Sequence, residues 1–444
     1  MQIGVLAVYR PQFDFEAAEH AAKNVWETVC LEARSIAESE SVWLGMVDEW
    51  QAQAQLREMT ETIRRLDVVV AVMGTFAGAD VVQQVADLCP GTVWLWTVSE
   101  PEVGHGRLRL NSLCGGLLTN FALQQQGRSV PMLYGNPKDE DLRSRLRDLL
   151  MVEKTCIALR SSTIGVVGKH PPGYFSCDYD GQALRRQLGV QVTQISLEEA
   201  FAAAEQATVA ALDPGYEAVA GLAGWKTVEG SQVEQSLKAE YGLRQLIANH
   251  HLTSLTVECW PQYMTEFGGA VCWAMSRLID DQVMAGCEAD VHGTLSMLIC
   301  RELGGMSPFF GDLVHQVSDD RLVFWHCGAA PLSLAGESPR ASVHPNRKVG
   351  LTLDFALMGG PATVVRLHQD GTGYSLMAIS GEAVDDDLYF SGNTATVRTD
   401  RPAAQVLADL VRDGAEHHFS VGYGVTVDSV QSLGSRLGIP VHVY

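Results

Sequence analysis

Over the first third of the chain, short apolar runs alternate with longer stretches in which apolar positions recur at helical spacing. Ile3–Val8 is apolar and β-branched, Phe15 to Ala37 carries the helical spacing, and Leu66–Met73 (LDVVVAVM) is almost continuously apolar before Gly74. A short, valine-rich run of that kind suits a strand buried on both faces of a parallel sheet. Thr92–Val98 repeats the pattern, and Ser129–Tyr134 offers a shorter version. Strands separated by helices of this length predict βαβ units.

A second unit of the same kind starts near Thr163. Ile164–Gly168 reads as a strand ending in glycine, His170-Pro-Pro-Gly173 as a turn, residues 180–188 as a helix and Val190–Ile195 as the next strand. A helical stretch over about 230–250 leads to the strand Leu252–Glu258, which ends at Cys259-Trp-Pro-Gln262. A helix is predicted from about Glu266 to Met284, and another after Gly286-Cys-Glu-Ala-Asp-Val-His-Gly293, to about Leu303. Beyond residue 335 the pattern changes. Glu337–Arg347 is polar and holds Pro339, Pro345, Arg340 and Arg347, the marks of a linker or surface loop. Short alternating segments follow at Val349–Phe355, Ala362–Leu367 and Tyr374–Ser380, with glycine turns at 359–360 and 371–373 and one late helix at about 402–413. That is the pattern of an antiparallel sheet or small barrel. The expected fold class is α/β, with two Rossmann-like α/β domains (1–160 and 161–335) followed by a β-rich, barrel-like C-terminal domain (336–444).

Composition narrows the partners. Of 444 residues, 46% are apolar and 19% charged, which suits a globular protein rather than a disordered one. With 32 Lys+Arg against 53 Asp+Glu, the net charge is −21, which argues against nucleic acid or an anionic membrane surface as a partner. No run reaches the roughly 18 apolar residues of a transmembrane helix, and the first residues read as a strand rather than a signal peptide. The ten cysteines form no C-x-x-C, so reduced, buried thiols are expected rather than disulfides or a zinc-thiolate site. A cytoplasmic location is the expectation.

Potential metal ligands concentrate in Glu288-Ala-Asp290-Val-His292, Asp312, His315, His326-Cys327-Gly328 and the pair His417-His418. Glu288 stands between a strand end and a helix, where open α/β sheets bind ligands. Carboxylates with imidazole suit Mn²⁺, Fe²⁺, Co²⁺ or Zn²⁺. Each residue also has a plainer reading: Asp290 as the cap of the following helix, His292 and His315 as ordinary core or surface histidines, Cys327 as packing. There is no G-x-G-x-x-G after the first strand, no Walker loop, no nucleophile elbow and no H-E-x-x-H. Lys169-His170 and the turn after it offer an anion site or a simple turn. Trp260, Phe76 and Trp325 offer aromatic faces to a sugar, or serve the core.

In order along the chain, Met73-Gly-Thr-Phe-Ala-Gly78, Asn111-Ser-Leu-Cys-Gly-Gly116, Cys287–Ser296, Phe309-Phe-Gly-Asp312, Trp325–Pro331 and Gly414-Ala-Glu-His-His418 resemble segments of the L-fucose isomerase and L-arabinose isomerase superfamily, especially its fucose-type members. The resemblance spans some 350 residues. It implies an aldose–ketose isomerase acting on a free sugar, with Glu288 and Asp312 as the acid–base pair and Glu288, Asp312 and His418 holding Mn²⁺ or another divalent cation such as Co²⁺, Mg²⁺ or Zn²⁺. His326 matches a further histidine of arabinose-type members, on metal or substrate. Phe76, Gln262, Trp260 and Arg10 are the remaining candidate substrate contacts. Gly311 and Cys114 stand where arabinose isomerases carry a metal-binding glutamate and a substrate-contacting histidine, so L-arabinose is disfavoured. L-Fucose, D-arabinose or a hexose such as sulfoquinovose stay open, with Arg10 and Lys169-His170 as possible partners for a sulfonate. The resemblance further implies a homo-oligomer (hexamer, trimer or dimer) with active sites near subunit interfaces, Phe76 then acting on a neighbour's site. The alternatives are a non-catalytic sugar-binding protein, or a metal-dependent epimerase or lyase.

Overall fold

The apolar runs at the start of the chain become strands. A computed structural model describes residues 1–36, 39–104 and 106–444. The chain divides into two units, Met1–Met151 and Val152–Tyr444. In the first, β1 (Gln2–Tyr9), β2 (Glu40–Asp48), β3 (Val68–Met73), β4 (Thr92–Thr97) and β5 (Met132–Tyr134) form a parallel sheet in the order β2-β1-β3-β4-β5. All six residues of β3 are buried. Val68, Val70 and Val72 pack into one apolar cluster, Val69, Ala71 and Met73 into another on the opposite face. Helices on both faces therefore explain the unbroken apolar run. This order is doubly wound, but it is not the 3-2-1-4-5-6 order of a Rossmann domain. The first helix, Phe15–Arg34, starts on an Asp14 cap that accepts from the Ala17 N–H; the predicted end at Ala37 lies outside the described residues. β2 and the helix Ala52–Ile63 escape the sequence reading; the apolar run of β2, Val42–Val47, is interrupted at Gly45, where its register against β1 shifts.

The second unit opens with another parallel sheet. Its strands β6 (Thr163–Val167), β7 (Gln191–Ile195), β8 (Ser254–Val257) and β9 (Met284–Cys287) lie in the order β7-β6-β8-β9. The continuous helix predicted from Glu266 to Met284 is not there. A single π-turn, Tyr263–Phe267, stops at Gly268, a helix covers only Cys272–Asp280, and Met284 already begins β9. Gly268 takes a φ of +84°, and a side chain at Gly269 would press on the backbone of Ser236, so the two glycines break the helix and let it pack closely.

The C-terminal sheet collects β10 (Phe309–Ser318), β11 (Arg321–His326), β12 (Arg340–Ser342), β13 (Thr352–Ala356), β14 (Gly360–Asp370), β15 (Gly373–Val384), β16 (Asn393–Thr399), β17 (His418–Tyr423) and β18 (Val441–Val443). The ring β16-β11-β10-β17-β14-β15 closes through the β15–β16 pairing into a six-stranded barrel, with β12, β13 and β18 as additions. The barrel thus begins at Phe309, and the predicted boundary at 335/336 falls inside its sheet. Two late helices are present instead of one: Ala403–Arg412, as expected, and Val427–Leu437, which starts at a Thr426/Ser429 capping box.

Helix Val291–Gly304 joins the parallel sheet to the barrel. It is buried almost all round, as a helix packed on both sides must be. Leu295, Leu298 and Ile299 share one apolar cluster with Val257 of β8, Val365 and Leu367 of β14 and Leu376 of β15. At its C-terminal end, a side chain at Gly304 would overlap the Tyr423 carbonyl oxygen, so glycine is required for the helix to lie against β17. Among the described residues, no helix is long and apolar enough to cross a membrane.

Candidate active site

Glu288 sits at the turn from β9 into helix Val291–Gly304. Glu288 and Ala289 both take left-handed backbone angles, φ +56° and +55°. Non-glycine residues pay of order 1–3 kcal/mol each for such a conformation, which persists only where surrounding contacts fix it. Here Ala289 N–H donates to the Val257 carbonyl (3.1 Å) and Asp290 N–H to that of Cys287 (3.1 Å). The turn aims Glu288 into a cavity of about 330 Å³. Its Oε1 accepts from the Trp260 indole N–H at 2.8 Å. Its Oε2 lies 3.5 Å from His417 Nε2 and 3.6 Å from His418 Nε2. Burial pushes its pKa up, but His417, the charge of His418 and the Trp260 donor outweigh that and leave it below the usual value.

Barrel register brings in the other carboxylate. Asp312 of β10 is the direct cross-strand partner of His418 in β17 and of Trp325 in β11. Side chains opposite one another across antiparallel strands share a face, and Asp312 Oδ1 lies 3.2 Å from His418 Nε2. The three residues carried over by resemblance, Glu288, Asp312 and His418, therefore meet in one cavity.

A buried chain of alternating charge fixes His418. Its Nδ1 donates to Asp290 Oδ2 at 2.9 Å. The same oxygen receives Arg366 Nη1 at 2.6 Å, and Arg366 Nε lies 3.5 Å from Glu416, which accepts from His368 at 3.0 Å. Arg366 and Asp290 are 0% and 1% exposed in their side chains. Burial alone would raise the Asp290 pKa, but Arg366 and His418 overcome it and hold the carboxyl well below the usual range. Asp290 does cap the helix, accepting from Gly293 N–H at 2.8 Å; its second carboxylate oxygen makes it a positioning residue as well. Arg366 also donates to the Ser176 carbonyl (3.3 Å), and Ser176 Oγ meets His417 Nδ1 at 3.2 Å.

The remaining candidates separate. His326 lines the cavity beside Cys327, 3.4 Å away; burial would lower its pKa, but the Cys327 contact and Asp312 push it up to about 9. Trp260 and Trp325 form walls. Gln262 lies two residues after Trp260 but is not part of the wall, and its Oε1 is buried without a hydrogen bond. Arg10 and Phe76 belong to the first unit, where Arg10 lies over the Phe76 ring (4.9 Å) and is tied to Glu49 at 2.5 Å, so Arg10 is not a free cation. His170 pairs with Asp178 at 2.8 Å. His315 is an exposed strand residue. Among the described residues no cysteine forms a disulfide, and Cys259, Cys287 and Cys327 border the cavity.

Sequence reading missed four residues of the wall, Tyr174, His344, Asn346 and Arg347. Tyr174 edges the cavity 5.8 Å from the Trp260 ring. Asn346 and Arg347, at the end of the stretch read as a linker or surface loop, form its rim, with the Arg347 guanidinium carbon 4.2 Å from the Trp260 ring centroid. The -His-Pro-Asn-Arg- tetrad gave a loop signal but none for its destination.

His292, in the first turn of the helix, is buried and its Nε2 makes no hydrogen bond. Burial, reinforced by the Arg366 charge, pushes its pKa down to about 4. In the unfolded chain an imidazole titrates near 6.5. The unfolded state therefore takes up a proton first, and stability present above pH 6.5 is lost as the pH falls toward 4, by about 3 kcal/mol at most. Urea unfolding of His292→Leu is expected to show a flatter acid limb over that window; an unchanged limb would contradict the assignment.

No protein-family model matches the chain. A sulfoquinovose isomerase from Alkalicoccus urumqiensis is 35% identical over 379 residues, 84% of this chain and 85% of the relative. A sulfoquinovose isomerase from Priestia aryabhattai is 33% identical over 445 residues, 98% and 97% of the two chains. Among solved structures, a solute-binding protein from Agrobacterium vitis bound with α-D-tagatopyranose aligns at 15% identity over 69% of this chain and 90% of its own, with a TM-score of 0.18, too low to relate the folds. The relatives define an enzyme, an aldose–ketose sugar isomerase. This is the coarser part of the resemblance drawn from sequence, and it sets aside the non-catalytic binding protein. The chain belongs to the sulfoquinovose isomerase family.

Proposed function

We propose that this enzyme interconverts sulfoquinovose, a six-carbon aldose carrying a sulfonate, and the corresponding ketose, with a divalent cation held by Glu288, Asp312 and His418. The observation that carries this reading is the meeting of these three side chains in one cavity, in a chain whose relatives bear that activity in their names.

The donor set fits a cation. An ionised carboxylate only accepts, so the Asp290 contact places the His418 proton on Nδ1 and turns the Nε2 lone pair toward Asp312 and Glu288. Three acceptors facing one another at 3.2 and 3.6 Å need a positive charge among them. A carboxylate behind a ligand histidine is the usual outer support of a metal site. Cys177 is near enough to compete, but burial keeps its thiol protonated. The oxygen and imidazole donors left suit Mn²⁺, Co²⁺, Mg²⁺ or Zn²⁺.

When bound, the cation supplies Lewis-acid polarisation of the sugar's carbonyl and neighbouring hydroxyl oxygens. The protein supplies proton transfer. Moving a hydrogen between C1 and C2 requires a base at one carbon and an acid at the exchanging oxygens, with the roles reversed in the other direction. Glu288 and Asp312 take these roles, each with a carboxylate oxygen facing His418 Nε2. Trp260 fixes one Glu288 oxygen and leaves the other toward the reacting end of the cavity.

Sulfoquinovose turnover should fall by about a hundredfold or more after exhaustive chelation and return with added Mn²⁺ or Co²⁺. Full turnover by metal-free protein would overturn the cation's place in this reading. No ketose from sulfoquinovose with any of the four metals would overturn the substrate.

A further inference from the structure

The sulfonate raises a problem that the reacting groups cannot solve. Sulfoquinovose carries a permanent negative charge, and the cavity's reactive end presents two carboxylates. A fixed cation at the other end is required to bring the sugar in and to set its direction. The cavity wall contains one Lys or Arg side chain, Arg347.

Its setting is built for an anion. The guanidinium carbon lies over the Trp260 ring, 4.2 Å from its centroid, and Arg347 is an exposed residue of the cavity lining. A guanidinium held by its face over a ring keeps the N–H fork at its edge for other partners, and two of a sulfonate's three oxygens can accept from such a fork. The loop that carries it is fixed. His344, buried, accepts from both the Asn346 and Arg347 N–H groups through Nδ1 at 3.3 Å, and its own backbone closes onto Lys348 (2.8 Å) and Val349 (2.9 Å). Gly350 and Leu351 are held by Gln232 and Ser236, at 2.7 Å each. One indole therefore sets the spacing of the site, since Trp260 donates to Glu288 with its ring N–H and carries Arg347 on its face.

We propose that Arg347, with the neighbouring Asn346 amide, binds the sulfonate and determines specificity for the sulfonated sugar over a neutral hexose. This rests on the sulfoquinovose reading above. Of the basic groups suggested from sequence, Arg10 and His170 already face carboxylates and Lys169 is not part of the cavity wall; Arg366, seen only in the fold, is buried and committed to Asp290.

The test compares wild type, Arg347→Met and Arg347→Lys on sulfoquinovose and on D-glucose, whose inhibition constant replaces kcat/KM where turnover is too slow. Losing a charge-assisted, bidentate contact is expected to raise KM for sulfoquinovose about 30- to 100-fold in Arg347→Met, with kcat within about threefold. The Lys variant should fall between, and D-glucose values should stay within about threefold of wild type. Thermal unfolding of both variants checks that they fold, and if the Met variant does not, the Lys variant carries the comparison. If wild type turns over sulfoquinovose and the variants keep its KM, or lose both sugars equally, the sulfonate role is overturned. If wild type does not accept sulfoquinovose at all, the substrate reading itself has failed and this assignment falls with it.

Discussion

Glu288→Gln is expected to lower kcat on sulfoquinovose by about a thousandfold under saturating Mn²⁺, within the range associated with loss of a general acid–base group. The substitution keeps the size of the side chain and leaves an oxygen to accept from the Trp260 indole. It removes the charge that faces His417 and His418 at 3.5 and 3.6 Å and the only carboxylate that β9 delivers to the cavity. Thermal unfolding should be cooperative, because the left-handed turn at 288 and 289 is held by backbone bonds from Ala289 and Asp290 rather than by the carboxylate. Turnover within tenfold of wild type, with metal saturation shown by titration, would remove Glu288 from the proton-transfer role.

The second large effect is on stability. Arg366→Met is expected to destabilise the protein by about 3–5 kcal/mol, since it leaves the Asp290 carboxylate buried without its cation. The pair is 2.6 Å apart, and neither side chain is exposed beyond 1%. Glu416 keeps His368 as a partner, so the loss concentrates at Asp290. Adding Asp290→Asn removes the stranded charge and should recover most of that stability. It should not recover activity. Without the Asp290 carboxylate, His418 no longer has its Nδ1 proton held, and kcat is expected to stay about 10- to 100-fold down, as for loss of the outer partner of a ligand histidine. Urea unfolding and kcat on the single and double variants separate the two effects. A single variant within about 1 kcal/mol of wild type would show that the buried chain is not under this strain.

What the sequence disclosed follows from how local each signal is. Val68–Met73 declared a central strand because both of its faces are apolar, and this can be read in six residues. The edge strand Glu40–Asp48 was passed over, since Gly45 interrupts its apolar run where a bulge shifts its register against β1. Glu288, Asp312 and His418 were identified through ordered segments resembling a sugar isomerase superfamily, and the barrel register makes Asp312 and His418 neighbours. The role of Asp290 was half legible. Its helix cap is a contact three residues away, whereas Arg366 is 76 residues away and reaches it only when β14 closes the barrel. Arg347 was hidden for the same reason: polar, proline-containing composition indicates a loop, and only the fold shows that the loop is pinned to Gln232 and Ser236 at the rim of the cavity. Gln262 went the other way, close in sequence to Trp260 yet absent from the wall.

On the proposed reading, this chain moves a proton between C1 and C2 of sulfoquinovose at the Glu288–Asp312–His418 cluster. Its most direct test is NMR of sulfoquinovose incubated with the Mn²⁺-supplemented protein in D₂O. The expected result is the ketose with deuterium at C1, and recovered aldose with deuterium at C2. Formation of no ketose, or of ketose carrying only protium at C1, would contradict it.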